Sequence, residues 1–303
     1  MKIPRLILGM LAGNAAGALV LPLAVWMAGQ TGSYMEVAIP SLLFIPFVIG
    51  LVAARVWKPL NLRVREIVFY SFACAAAGLG VAALFLREGI VCLLIVAPIL
   101  FAGVMAGALL GRIWFRQNRD RLNLCLAPLL AVAIAAEPAW REPRESVVID
   151  EIRVAAPPAK VWPHLLAFRP IPEPPRYLLF HAGLPYPSET TNGGDFVGAD
   201  RACRFSGGAV FKEKIVEFEP LRRLTFDIVE MPRDPELMGH LDASRGQFEL
   251  RDNGDGTTTL IGRTWYSLRV RPAWYFDWWT RDIFSAVHLR VMRNIQRLAE
   301  TGP

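Results

Sequence analysis

Hydrophobic and polar positions divide this chain into two stretches with different periods. Through the first, apolar residues run on without alternation: Leu6–Ala28, Val37–Ala54, Ile67–Leu86 and Ile90–Gly111. Each approaches the ~20 residues that an α-helix needs to cross a hydrocarbon core. Gly9, Gly13 and Gly17, and again Gly103, Gly107 and Gly111, recur at the four-residue small spacing that lets helix backbones approach closely in lipid. The pattern predicts four membrane helices. The first run is long, and three more follow it, which argues against a secretory signal peptide. A fifth run, Leu122–Ala136, is shorter and carries Pro128. At ~1.5 Å per residue it spans about 22 Å, so it either crosses, with Trp140 in the interface, or lies in the interface itself.

Past the charged joint Glu137–Arg144 (EPAWREPR) the period changes, and Pro138 and Pro143 discourage a continuing helix. Ser146–Val154 reads as a strand, and Ala155–Trp162 as a turn leading into a short helix. A second short helix is predicted over Arg176–Gly183. Strand-like segments follow at Gly198–Ser206, Phe211–Phe218, Arg223–Val229, Gly246–Arg251 and Thr257–Val270. Asn253–Gly256 (NGDG) is a hairpin signal, and Gly207, Gly208 and Glu219–Leu221 supply tight turns. Ala273–Glu300 carries apolar residues near helical spacing and predicts one long amphipathic helix. The expected architecture is an all-α transmembrane bundle of four or five helices over residues 1–140, then an α+β domain over 141–303.

Composition and charge sharpen that division. The 303 residues are 53% hydrophobic, with a mean hydropathy of +0.34, too apolar for an ordinary soluble enzyme. The whole net charge of +6 belongs to the first half, as short clusters between apolar runs. A nucleic-acid-binding module would instead gather its basic excess on one folded face, so nucleic acid is not an expected partner. Lys2 and Arg5, then Arg55, Lys58, Arg63 and Arg65, then Arg112, Arg116, Arg119 and Arg121 lie on one side of the predicted spans, and Arg87 on the other. This bias places the N-terminus in the cytoplasm. If Leu122–Ala136 crosses, the favoured reading, the second half is extracytoplasmic; if not, it is cytoplasmic. Asn14, Ser41 and Ser71 are the polar residues within the spans, and no ionisable group sits mid-span, which favours an anchor over a pump.

The second half resembles the START-like, helix-grip superfamily, which includes polyketide cyclase/dehydrase and lipid-transport (SRPBCC-type) proteins. The resemblance rests on Ile152–Trp162 (IRVAAPPAKVW), Val216–Phe226 (VEFEPLRRLTF), Gly246–Leu250 (GQFEL), Thr257–Trp265 (TTTLIGRTW) and the closing helix, and covers about residues 146–300. It implies a curved antiparallel sheet wrapped on the long C-terminal helix, with a cavity between them for an apolar or amphipathic ligand.

Strand alternation indicates what such a cavity would present. Cys203 and Phe205 share a face, as do Leu224, Phe226 and Ile228, then Phe248 and Leu250, then Leu260, Thr264, Tyr266 and Leu268. Arg204, Arg223, Asp227, Glu249 and Arg263 fall on the opposite faces. Phe211–Phe218 departs from the pattern, because Lys212 and Lys214 share parity with Val216 and Phe218; a bulge or a cavity rim would account for it. On the closing helix, Asp282, Ser285 and His288 or Leu289 fall at spacings that suggest a stripe with Trp278. Candidate ligand contacts are therefore Cys203, Phe205, Leu224, Phe226, Ile228, Phe248, Thr264, Tyr266, Trp278, Asp282 and His288.

No strong catalytic signature is present. His164, His181, His240 and His288 lack metal-ligand spacing, no glycine-rich phosphate loop follows a strand, and no cofactor is implied. A lone Cys203 on an apolar strand face reads as core rather than nucleophile. The leading expectation is a membrane-anchored protein that binds or transfers a hydrophobic ligand, such as a membrane lipid, without chemistry. A cyclase/dehydratase using Asp282 and His288 as acid–base groups is the alternative, and a membrane sensor or assembly subunit with a membrane-protein partner is a third.

Overall fold

A computed structural model describes residues 2–30, 39–85, 89–117, 145–236, 241–270 and 272–301. The chain divides into two units. The first contains helices α1 (Lys2–Gln30), α2 (Ile39–Trp57), α3 (Val64–Phe85) and α4 (Ile90–Gln117). Among them, Lys2–Val20, Val64–Leu84 and Ile90–Arg116 are long and apolar enough to cross a membrane. The fifth run, the joint Glu137–Arg144, and the loop residues Arg87, Arg119 and Arg121 lie outside the described residues.

Small residues set the packing of this unit. A Cβ added at Gly50 would lie 2.0 Å from the Val104 carbonyl oxygen, and one at Gly107 2.0 Å from that of Phe47. Helices α2 and α4 therefore cross backbone against backbone, a distance only glycine permits. Gly13 and Gly17 face Ile49, and Gly9 lies beneath the indole of Trp57, whose Nε1 donates to the Leu6 carbonyl at 3.1 Å. Asn14 donates to the carbonyls of Met10 (3.0 Å) and Cys74 (3.2 Å). The amide singled out in the sequence is thus a satisfied link between α1 and α3.

The second unit is a curled seven-stranded antiparallel sheet, in the order β1-β7-β6-β5-β4-β3-β2, gripping a long C-terminal helix. Its strands are β1 (Glu145–Val154), β2 (Pro187–Asn192), β3 (Asp200–Phe205), β4 (Val210–Glu219), β5 (Arg223–Glu230), β6 (Leu241–Asp252) and β7 (Thr258–Leu268). Short helices α5 (Pro158–Leu166) and α6 (Leu178–His181) link β1 to β2, and α7 (Ala273–Thr301) closes the chain. The NGDG segment makes the β6–β7 turn, with Gly254 and Gly256 at φ 76° and 81°, in the left-handed region that favours glycine.

Two features escaped the alternation rule. β2 (PSETTN) is a polar edge strand that opens on a proline, pairs along its length with β3 and meets Phe168 in a single further bridge at Thr190, so it shows no buried stripe. β6 begins at Leu241 rather than Gly246, because a register shift between Ala243 and Arg245 interrupts its pattern. A third irregularity resolves the parity conflict in β4. Ile215 pairs with Phe226 and Glu217 with Thr225, so Val216 is an extra residue. Upstream of this bulge Glu213 and Ile215 are buried while Lys212 and Lys214 are exposed, and downstream Phe218 packs on the core.

That core runs from α5 across the sheet to α7. Leu165, Leu224, Leu260, Met292 and Ile295 are fully buried, each stabilising the unit by roughly 1.5–3 kcal/mol. A Cβ at Gly262 of β7 would stand 3.0 Å from the Met292 sulfur and 3.8 Å from the His288 ring, so the missing side chain lets α7 lie close on the sheet.

Candidate functional site

Between the concave face of the sheet and α7 lies a recess of about 140 Å³. Alternate residues of the central strands reach it because one face of each strand points toward the helix. Cys203 and Phe205 of β3, Phe226 and Ile228 of β5, Phe248 of β6, Thr264 of β7 and His288 of α7 all line it. Phe226 stays in place because its ring occupies the space above Gly246, where a Cβ would be only 2.4 Å from the ring.

One flank is a hydrogen-bonded chain drawn from three elements. Nε2 of His288 lies 2.7 Å from the Thr264 hydroxyl, and Nδ1 lies 2.7 Å from a carboxylate oxygen of Asp150 on β1. Ser285, one turn before His288, donates to the other Asp150 oxygen. Burial pushes the Asp150 carboxyl up, but the bonds from His288 and Ser285 and the attraction of the imidazole outweigh it and hold the pKa below its ordinary value. Asp150 is therefore ionised at neutral pH.

The opposite flank is a buried ion pair. Arg201 of β3 bonds Glu213 of β4 through Nη1, and its guanidinium lies 4.4 Å from the centre of the Phe226 ring. Nη2 donates to the Leu165 carbonyl at 3.4 Å. Burial drives the Glu213 carboxyl above its ordinary pKa, against the pull of Arg201. Cys203, between these elements, has its thiol pushed up to about 12 by burial and by the Glu213 charge, with Arg201 and Thr190 opposing. It is a neutral thiol at physiological pH, not an activated nucleophile.

Four candidates lie away from the recess. Leu224 is part of the solid core. Tyr266 is buried, but its hydroxyl turns to Asp277. Trp278 is 63% exposed, and Asp282 is an exposed partner of the Tyr177 hydroxyl. The suggested Asp282–His288 stripe does not form. Six residues of α-helix turn the side chain through about 600°, which leaves the two about 120° apart. The carboxylate that meets His288 is Asp150.

With this geometry in view, the chain can be set beside known proteins. Residues 147–300 match the family model described as polyketide cyclase / dehydrase and lipid transport. The chain belongs to this family. No curated protein sequence matches it. Among solved structures it is similar to norcoclaurine synthase from Thalictrum flavum, at 16% identity and a TM-score of 0.37, covering 53% of this chain and 90% of that one. A protein from Nitrosospira multiformis gives 18% identity and a TM-score of 0.34, covering 50% and 95%. The protein XoxI from Bacillus cereus gives 14% and 0.35, covering 52% and 96%.

As a polyketide cyclase/dehydrase and lipid-transport domain, the second unit holds near the recess two buried charges, Arg201 and Glu213, and one partly buried, Asp150, that the sequence reading passed over. All carried the same signal. Asp150 alternates with Val148, Ile152 and Val154; Arg201 with Cys203 and Phe205; Glu213 with Phe211 and Ile215. A charge in phase with an apolar face marks a buried partner rather than a solvent group.

Proposed function

We propose that the C-terminal domain binds a hydrophobic ligand, such as a lipid chain, in the recess between the sheet and α7, and that the N-terminal helices hold this domain at a membrane. The wall of the recess carries this reading: Phe205, Phe211, Phe226, Ile228, Met231 and Phe248 surround a space of about 140 Å³. A void near that volume accepts one ring or a short aliphatic segment. A longer chain therefore inserts one end and leaves the rest outside. The lipid-transport part of the family description agrees with this use. A cavity tethered beside a bilayer meets poorly soluble molecules at high effective concentration.

The test is native mass spectrometry of the full-length protein, with identification of any small molecule released. A stoichiometric apolar ligand that is lost in Ile228→Glu supports the reading. A recess that is empty and takes up no apolar ligand overturns it, and leaves a scaffold or sensor that contacts another membrane protein. The orientation proposed, with a cytoplasmic N-terminus and an extracytoplasmic domain, is read by Arg251→Cys in a cysteine-free background. Labelling of intact cells by an impermeant thiol reagent supports it, and labelling only after lysis overturns it.

Cyclase/dehydratase-type catalysis is the second reading, favoured by the placement of His288 between a carboxylate and a hydroxyl at the recess wall. Turnover abolished in His288→Asn, with ligand affinity retained, would bring it forward.

A further inference from the structure

Resting on the ligand-binding reading, we propose that Thr264 selects the polar group of the ligand, and that the Asp150–His288 pair decides whether it selects a hydrogen-bond donor or an acceptor. Ionised Asp150 has no proton to give, so the bond at 2.7 Å requires a hydrogen on Nδ1 of His288. While the imidazole is neutral, Nε2 then carries only a lone pair, and the Thr264 hydroxyl must donate to it across 2.7 Å. The hydroxyl has a single proton, already committed. What remains at the recess wall is lone-pair density on Thr264 Oγ1, which accepts from a ligand hydroxyl or N–H and offers nothing to an ether, ketone or ester oxygen. When the imidazole gains its second proton, Nε2 becomes a donor, the Thr264 hydroxyl turns to accept from it, and its own proton is freed toward the ligand. The wall then satisfies an acceptor.

The groups around the ring leave this logic undisturbed. Asp150 is the ionisable side chain bonded to it from β1, and β7 contributes Thr264 and Gly262. On its own helix, Ser285 is engaged with Asp150, while Met292 lies against the same glycine. Several other charges of these elements are bonded elsewhere: Arg263 to Glu249, Arg153 to Asp255, and Asp277 to Tyr266 and Arg281. Across the recess, Arg201 and Glu213 bond each other.

Two isomers separate the possibilities: 4-fluorobenzyl alcohol, which has a donor, and 4-fluoroanisole, which has only an acceptor. Their affinities are read by ¹⁹F NMR with the full-length protein in nanodiscs, against empty nanodiscs as the blank. With the imidazole neutral, the alcohol is expected to bind about tenfold more tightly, the discrimination of one neutral hydrogen bond. That preference should collapse once acid has protonated the imidazole. Thr264→Val should abolish it at all pH values, and Thr264→Ser should restore it. The wild-type pH series needs no variant to fold. Equal, pH-independent binding of both isomers overturns the proposal and leaves the cavity reading standing, as does a preference that survives in Thr264→Val. Binding of neither isomer overturns both.

Discussion

On the β3–β4 flank of the recess, Arg201 and Glu213 close on each other. On the β1–α7 flank, Asp150, His288 and Thr264 form a chain whose last member faces the recess. Both arrangements pair charge inside one domain, but they leave different things behind. The ion pair spends its charge internally and adds the Phe226 ring as a further neighbour, so it is a brace between two strands. The chain ends at a hydroxyl lining the recess, so it is a structural contact that also sets what the wall presents. Charge in a nonpolar interior thus serves as support where it is closed and, in the function proposed above, as recognition where one end is left open.

The sharpest way to break this contrast is to remove half of the brace. Arg201→Met strands the Glu213 carboxylate without its cation and is expected to cost about 3–5 kcal/mol in equilibrium unfolding, while the double variant Arg201→Met/Glu213→Leu recovers most of it. A double variant as unstable as the single one would show the pair to be more than a mutual repair. Asp150→Asn comes next, at about 1.5–3 kcal/mol, because it weakens charge-assisted bonds to His288 and Ser285 but leaves neutral acceptors behind.

Acid titration sharpens the contrast by sign. The Asp150 carboxyl is held below its ordinary value of 3.8, so its contribution to stability is complete above that pH and is lost as pH falls through the depressed value. The Glu213 carboxyl is raised above its ordinary value of 4.5, so its contribution is complete below that pH and is lost as pH rises through the raised value. Asp150→Asn should flatten the acid limb of the stability profile, and the Arg201/Glu213 double variant the limb above it. The smallest effect belongs to Asp282→Asn. That residue is an exposed partner of Tyr177, and ligand affinity should stay within about twofold.

Much of the fold was legible because it follows from burial along a single element. Four apolar runs became α1–α4, and the alternating segments became strands with Phe226, Phe248 and Thr264 on the recess side. What the alternation concealed lay where one element meets another. Edge strand β2 buries too little to show a stripe, and the bulges in β4 and β6 change phase without any marking residue type. Asp150 and His288 are 138 residues apart, and nothing local links them. Their pairing comes from β1 lying beside β7 under α7, an arrangement that Gly262 admits by having no side chain. Asp282 looked the better partner because it is near in sequence. Helical rotation carries it away.

The bulge at Val216 gives the recess an unusual kind of control. Without that residue, Ile215 would still point inward, Glu217 outward and Phe218 inward, so every side chain would keep its face. What would go is the extra bend and twist that a supernumerary residue imposes on its strand. The depth of the hollow opposite α7 is therefore governed partly by how many residues β4 contains rather than by which they are.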